Sequence, residues 1–190
     1  MKRWLRISVR TLLAITTILA LMIGYLSNRL RGHKAAVTAI RAHGGTFAIK
    51  YDGPDWLRAQ FDDDEYFYNC VRVNLGPYNK GYDRSRPIGD DDVEALIPHL
   101  NAFSNFQILD LRRSSITDGV TQLLDRIDRL DAVILWETKI SDEGLDNMPS
   151  IPSLTHLDVR NTLVTPDGVG RFVERNPQCK VRADFVVPNA

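Results

Sequence analysis

The sequence contains few of the residues from which catalytic and metal sites are built. It has two cysteines and four histidines among 190 residues, and none of the histidines has a cysteine or a second histidine at zinc-ligand spacing. A Gly-x-Ser-x-Gly nucleophile elbow and a glycine-rich phosphate loop are also missing. We therefore expect no catalysis, no cofactor, no bound metal and no small-molecule substrate.

Acidic residues are numerous, but they are not spaced as calcium ligands. A calcium loop alternates its ligands and places a glycine at the sharp turn, whereas the acids at 62–65 and at 90–92 are consecutive. The second run precedes a predicted helix, where carboxylates are stabilised by the positive end of the helix dipole. Both runs are interpreted as solvated or helix-capping acids.

Charge is distributed unevenly along the chain, although the formal net charge is zero. Residues 1–34 hold seven lysines or arginines and no acid, whereas residues 35–190 hold 17 basic and 24 acidic side chains. Nucleic-acid binding needs a basic face, and no arginine cluster with interleaved aromatic residues follows residue 34. Nucleic acid is therefore not an expected partner.

The basic head includes one long apolar run. Thr11–Asn28 contains 18 residues without a charge, which as a helix would span about 27 Å, close to the ~30 Å hydrocarbon core of a bilayer. We expect a single-pass membrane anchor, and a cleaved signal peptide or a buried core helix remain the alternatives. A signal peptide should be followed by small residues in an Ala-x-Ala arrangement, and Tyr25–Arg29 contains no such site.

The charges that flank this run predict its orientation. Four basic residues precede it and three follow it, and cytoplasmic flanks carry an excess of lysine and arginine. The balance favours a cytoplasmic amino terminus and a body on the non-cytoplasmic side.

Residues 106–172 repeat one apolar pattern three times at a spacing of 24 residues. Each copy has an apolar residue, a Leu-x-Leu-like pair, and an aliphatic residue five positions later. The positions are Phe106, Leu109, Leu111 and Ile116, then Leu130, Val133, Leu135 and Ile140, then Leu154, Leu157, Val159 and Val164. The pair has a period of two, which predicts a short strand with both side chains on one face.

Signals for the start of a helix follow each predicted strand. Thr117, Ser141 and Thr165 are good N-caps, because a hydroxyl can accept a bond from an N–H of the first turn. Pro166 suits the first helical position. Apolar residues three apart then share one helix face: Leu145 with Met148, and Val169 with Phe172. A unit of 24 residues cannot bury this face alone, so neighbouring units must stack.

Weaker copies of the pattern flank the three units. Val73–Leu75 matches the strand and residues 88–96 match the helix, with an eight-residue insertion within 76–87. Residues 179–183 predict a last, capping strand. Cys70 and Cys179 would then lie in the first and last strands, about 20 Å apart at ~4.8 Å per strand, so we expect free thiols.

The segment between the anchor and the repeats has its own predicted elements. The apolar spacing of residues 30–42 indicates that the anchor helix continues beyond the membrane, and His43-Gly44-Gly45 ends it. Thr46–Tyr51 alternates like a strand, which would cover the open edge of the repeat sheet. Trp56–Phe61 has the spacing of a short amphipathic helix.

The pattern Ile-Thr-Asp-x-Gly-Val/Leu at a 24-residue period resembles the bacterial leucine-rich repeats of the GALA-like type. The head at 6–13, followed by Ala39-Ile40 and Gly45, resembles the membrane-anchored repeat proteins that are abundant in planctomycetes. The sequence departs from the family where Asn is usual, since Ser114, Thr138 and Thr162 stand there, and Gly119 comes one residue early. The first departure weakens the argument for a full side-chain ladder on that turn.

The residue after each strand pair forms a further column, occupied by Arg112, Trp136 and Arg160. Together with Asp110 and Asp158, these residues are expected on the sheet face opposite the core. An exposed tryptophan with arginine neighbours has the composition of a protein-binding hot spot, so these five are the candidate protein-binding residues. The alternative is a self-satisfied surface, in which arginine stacks on tryptophan and pairs with aspartate.

The sequence therefore predicts an α/β fold, a short leucine-rich-repeat solenoid of three to four units preceded by a transmembrane helix. We divide the chain into a basic head and anchor at 1–34 with its span at 11–28, a juxtamembrane and capping region at 35–69, and repeats at 70–190. The expected function is protein interaction or scaffolding, with a protein partner on the strand face and the bilayer contacted through residues 11–28. A structural envelope module without a dedicated ligand is the alternative, and an enzyme lacks a constellation of residues.

Overall fold

The structure is a computed structural model that describes residues 8–51, 68–77 and 87–187. From residue 68 onward, strands and helical segments alternate along the chain. The elements are α1 (Val9–Ala42), β1 (Thr46–Tyr51), β2 (Tyr68–Asn74), α2 (Asp90–Leu100), β3 (Ile108–Asp110), a 3₁₀ helix (Asp118–Arg126), β4 (Ala132–Ile134), α3 (Asp142–Asp146), β5 (His156–Asp158), α4 (Pro166–Arg175) and β6 (Lys180–Arg182). The predicted helix Trp56–Phe61, the acids at 62–65 and most of the insertion at 76–87 lie outside the described residues.

The strands form one six-stranded sheet in the order of the sequence. β1 pairs with β2 in the antiparallel sense, and β2 to β6 are parallel. From β3 onward the residue opposite each position lies 24 residues further on, as in Leu109, Val133, Leu157 and Val181. The sequence period therefore sets the register, and the predicted α/β class, edge strand and last strand are confirmed.

The core lies between the sheet and a layer of helices, each of which packs against the next in sequence. Strand side chains such as Leu109 and Leu135 are fully buried, and so are Leu145 and Phe172 on the helical segments. Burying a leucine or phenylalanine side chain contributes roughly 1.5–3 kcal/mol. The apolar columns of the three units thus form one continuous core, as predicted.

The helical segments differ more between units than the pattern predicts. α4 begins at Pro166 and runs for ten residues, α3 has five residues, and the segment after Thr117 is a 3₁₀ helix. The hydroxyl of Thr121 donates to the carbonyl of Asp118 at 2.8 Å. Such a bond competes with regular α-helical pairing, which gives a physical reason for the tighter first segment. Thr165 accepts from Gly168 N and Thr117 from Gly119 N, whereas Ser141 makes no side-chain cap bond.

α1 is one continuous helix of 34 residues whose two ends lie in different surroundings. Every described side chain from Ser8 to Tyr25 is exposed, whereas Ala36 and Ile40 are fully buried in the core. The helix ends at Ala42, as predicted. By length and composition it is apolar enough to cross a membrane, a test that a secretion signal near an amino terminus also passes.

α1 runs antiparallel to α2 along the side of the domain. His43 lies 3.6 Å from Asp92 near the start of α2, and the guanidinium of Arg29 donates to Ser104 Oγ at 2.7 Å just past its end. His33 lies between these points, 6% exposed, with its ring 5.3 Å from that of Phe103. The apolar part of α1 therefore leaves the domain on the side where the parallel strands begin.

Burial controls the chemistry of His33 and of both cysteines. The Nε2 of His33 has no hydrogen-bond partner, and burial, with the nearby charge of Arg29, lowers the pKa of His33 below 6.5. Cys70 and Cys179 are free and buried, as predicted, and burial raises the pKa of each thiol to about 12. All three side chains are consequently uncharged at neutral pH.

Candidate functional site

The candidate site is the strand face, which we define as the sheet face opposite the helices. Its side chains lie in three rows across the strands from β2 to β6, at the 24-residue period from β3 onward. The rows are Arg72, Ile108, Ala132, His156 and Lys180; Asn74, Asp110, Ile134, Asp158 and Arg182; and Gly76, Arg112, Trp136, Arg160 and Asp184. The central strand contributes only apolar side chains, and charged ones lie on both sides of it.

Two arginine–aspartate pairs flank the central strand. The guanidinium of Arg112 donates from Nε and Nη2 to the two carboxylate oxygens of Asp110, at 2.8 and 2.7 Å. Arg160 makes the same two bonds to Asp158, at 2.8 and 2.6 Å. Asp110 and Asp158 are only 1% and 7% exposed. Each strand therefore neutralises its own buried carboxylate and holds its guanidinium in a fixed position.

Trp136 lies between these two pairs. The guanidinium carbons of Arg112 and Arg160 are each 5.7 Å from the centroid of its ring, and that of Arg113 is 4.8 Å away. These distances are within the range of cation–π attraction. The structure thus brings the five predicted residues Arg112, Trp136, Arg160, Asp110 and Asp158 together on one face.

The surroundings of Asp158 and of the two arginines favour their ionised forms. Burial raises the pKa of Asp158, but the hydrogen bonds and charge of Arg160, together with the charge of Arg182, lower it further, so the net pKa lies below its usual range. The hydrogen bond to Asp110 raises the pKa of Arg112. Arg112, Arg160 and Asp158 therefore carry fixed charges at physiological pH.

The turn that follows the third row was not predicted. Arg113, Glu137 and Asn161 have φ of 56°, 56° and 52°, a left-handed conformation that is uncommon outside glycine. Arg113 and Glu137 form an ion pair across adjacent turns. The first two are neither glycine nor asparagine, so residue type alone gave no signal for this turn.

A second set of aspartates lies at the starts of the helical segments. Each of these carboxylates accepts bonds from the backbone N–H and hydroxyl of the cap residue in the next unit: Asp90 from Thr117, Asp118 from Ser141, and Asp142 from Thr165. The N–H bonds are 2.8, 2.7 and 2.7 Å long. We call this set the aspartate ladder. Of these, only Asp90 belongs to a run that was interpreted as solvated or helix-capping acids, and the bonds of all three to the next unit were not predicted.

Glycines make room for the aspartate ladder. A Cβ on Gly119 would lie 2.8 Å from a carboxylate oxygen of Asp90. Cβ atoms on Gly144 and Gly168 would collide more severely with Asp118 and Asp142. The combination of aspartate, cap residue and glycine in each unit is therefore a signal for stacking that the sequence already contained.

The hydroxyls that replace the expected asparagines do not link units. Ser114, Thr138 and Thr162 each donate to the carbonyl three residues earlier in their own unit, at 2.6 Å. The bonds of these three hydroxyls therefore stay within their own units. The aspartate ladder on the neighbouring turn supplies the bonds between units instead.

Within the described parts of the chain, no group of three histidine, cysteine or acidic side chains is placed to hold a metal ion. The strand face offers fixed guanidinium donors around an aromatic ring. No protein-family model matches the chain, and no curated protein is similar to it.

Proposed function

We propose that this protein is a membrane-anchored leucine-rich-repeat module that binds another protein through its strand face. The observation that carries the proposal is Trp136, half-buried between two guanidinium groups that their own aspartates hold in place. Tryptophan and arginine are the residues most enriched at binding hot spots. Fixed side chains also lower the conformational entropy that binding must remove.

The repeat architecture is supported by the agreement between sequence period and sheet register. Successive units place Leu109, Val133 and Leu157 opposite one another, and the same aspartate bond recurs from unit to unit. Each unit contributes one strand and one helical segment and contacts its neighbours on either side. This nearest-neighbour arrangement is how solenoid repeats bury a core that no single unit can bury.

The membrane anchor is supported by the exposure of the apolar part of α1. Large aliphatic side chains such as Ile18 and Leu21 are 66% and 69% exposed, which is unfavourable in water but not in hydrocarbon. Because α1 leaves the domain where the strands begin, the third row would lie at the far end of each strand from the bilayer. The charge balance of the flanks, four basic residues before the span and three after it, favours a cytoplasmic amino terminus and repeats on the non-cytoplasmic side.

A second reading, a structural envelope module without a dedicated ligand, is favoured by the contacts of the face itself. The two carboxylates are fully paired, and Trp136 already has cationic neighbours on both sides. Such a surface is stable without a partner. The two readings differ in what Trp136 does for binding.

A paired experiment distinguishes them. The full chain with Trp136→Ala would be expressed in the native host as a proximity-labelling fusion, beside the parent and a Leu163→Ala control. Leu163 is 67% exposed and lies away from the strand face. We expect all three to remain in the membrane through a carbonate wash and to unfold similarly, while only Trp136→Ala loses a labelled partner. Equal labelling by all three would favour the structural reading, and release by the wash would contradict the anchor.

A further inference from the structure

The strand face is positive although the body of the protein is negative. The three rows contain five basic and three acidic side chains, whereas residues 35–190 contain 17 basic and 24 acidic ones. The excess of positive charge is larger among the side chains that are accessible to a partner. The side chain of Asp110 is 1% exposed and that of its partner Arg112 is 29% exposed, and the corresponding values for Asp158 and Arg160 are 9% and 35%. The carboxylates of Asp110 and Asp158 therefore lie beneath the guanidinium groups, whereas the third, Asp184, is exposed at the end of its row.

The two central guanidinium groups keep donors for a ligand. An arginine has five N–H donors, and Arg112 and Arg160 each give two of them to the aspartate below. The remaining donors of each have no partner among the described residues. Because the bidentate bonds hold each guanidinium in place, a carboxylate that binds there immobilises little further side-chain freedom.

Further positive charge lies at both ends of the rows. Arg72 is exposed on β2, and Lys180 and Arg182 are exposed on β6. The central strand between them presents Ala132, Ile134 and Trp136, all half-buried. The face is therefore an apolar stripe with cationic groups on both sides of it, which complements an apolar side chain flanked by carboxylates.

We propose that the partner presents an acidic, extended segment, with an apolar side chain on Trp136 and carboxylates on Arg112 and Arg160. The inference rests on the proposed function and names the chemistry of its partner. Arg112 and Arg160 lie two strands apart, about 10 Å at ~4.8 Å per strand. This distance corresponds to roughly three residues of extended chain.

The probe is a random peptide library displayed on phage, selected on the full chain in nanodiscs of zwitterionic lipid. We expect the recovered peptides to carry two or more acids around an apolar residue. Amide substitution of both acids in a recovered peptide should weaken binding to the parent protein at least tenfold, since charge-assisted hydrogen bonds are lost. This readout needs no variant of the protein to fold.

A variant of the protein tests the same contacts from the other side. The combined substitution Asp110→Asn, Arg112→Gln, Asp158→Asn and Arg160→Gln removes both pairs and leaves no buried carboxylate unpaired. A matched control neutralises two ion pairs of the helical layer: Glu94→Gln with Arg126→Gln, and Asp146→Asn with Arg171→Gln. Both variants keep the net charge of the parent. We expect a roughly tenfold or larger loss of peptide binding in the first variant and none in the control.

The outcomes separate the two proposals. Peptides that bind in a Trp136-dependent manner but without acids, or that tolerate amide substitution, would overturn the acidic partner and leave the protein-binding function standing. Recovery of no peptide whose binding depends on Trp136 would overturn both. Equal losses in the strand-face variant and its control would show that the charge effect is not local, and would also overturn the inference.

Discussion

Two sets of aspartates lie at corresponding positions of different units, yet they bond in different directions. In the aspartate ladder, Asp118 and Asp142 accept bonds from the cap residue of the next unit. On the strand face, Asp110 and Asp158 accept bonds from an arginine two residues further along their own strand. One set of carboxylates joins units together, and the other organises the surface of a single strand.

This difference explains why one column is uniform and the other is not. A ladder residue must match the neighbouring unit, so each step uses aspartate, a hydroxyl cap and a nearby glycine. A strand-face residue must satisfy only its own strand, so the column can hold Asp110, then Ile134, then Asp158. The residue type can therefore vary between units on the strand face, where this variation can serve recognition. It is restricted in the aspartate ladder, where a change would disturb the stacking of units.

The largest loss of folding stability is expected at Leu135, and a much smaller one at its neighbour Trp136. Leu135 is fully buried and Trp136 is half-buried on the strand face. Leu135→Ala should lower the free energy of unfolding by about 2–5 kcal/mol, because neighbouring units keep the cavity from collapsing. Trp136→Ala should change it by about 1 kcal/mol or less, since it removes only cation–π contacts at a partly exposed site. Urea unfolding measures both, and equal losses would mean that the assigned faces are wrong.

The aspartate ladder can be broken by one methyl group. In Gly168→Ala the new Cβ collides with the carboxylate of Asp142, and such overpacking costs roughly 1–3 kcal/mol. Gly170→Ala is the matched control in the same helix, because a Cβ there meets no atom within 4 Å. The control should be neutral or more stable by about 0.5–1 kcal/mol. Thermal unfolding of both variants provides the measurement. An unchanged melting temperature for Gly168→Ala would show that the contact between Gly168 and Asp142 does not restrict how the two units stack.

Removing a ladder carboxylate tests the same bonds without a clash. Asp118→Ala leaves the N–H and hydroxyl of Ser141 without their acceptor, which should cost about 1–2 kcal/mol where water replaces part of the bond. Asp125→Ala, an exposed acid of the same 3₁₀ helix, should stay within about 0.5 kcal/mol of the parent. Similar unfolding curves for the two variants would contradict a role of Asp118 in joining units.

The smallest effect is expected from the strand-face pair as pH falls. The pKa of Asp158 is lower in the folded protein than its usual value near 3.8. Its contribution to stability is therefore present above about pH 4, and it is lost as pH falls because the unfolded chain binds the proton first. Asp158→Asn should lose less stability between pH 5 and pH 2.5 than the parent, by about 1 kcal/mol or less. Urea unfolding across that range provides the measurement.

The strands and their register could be predicted from the sequence alone. Because the spacing is fixed at 24 residues, apolar residues fall opposite one another on adjacent strands. The alignment of Leu109, Val133 and Leu157 therefore follows from the sequence numbers. The same counting assembled Arg112, Trp136 and Arg160 on one face, because alternation along a strand is a local property. The end of α1 at Ala42 was also predictable, since glycines stop helices through their own backbone freedom.

The group that each aspartate bonds could not be predicted before the units were packed in three dimensions. Asp118 could cap its own helix or join Ser141 of the next unit, and that choice depends on the separation between stacked backbones rather than on residue type. Docking of α1 along α2, which buries His33 beside Phe103, likewise depends on two segments some seventy residues apart in the sequence. The local sequence pattern decides which side chains lie on one face of the sheet. The hydrogen-bond partners in neighbouring units depend on distances between backbones, which are set only when the units pack together.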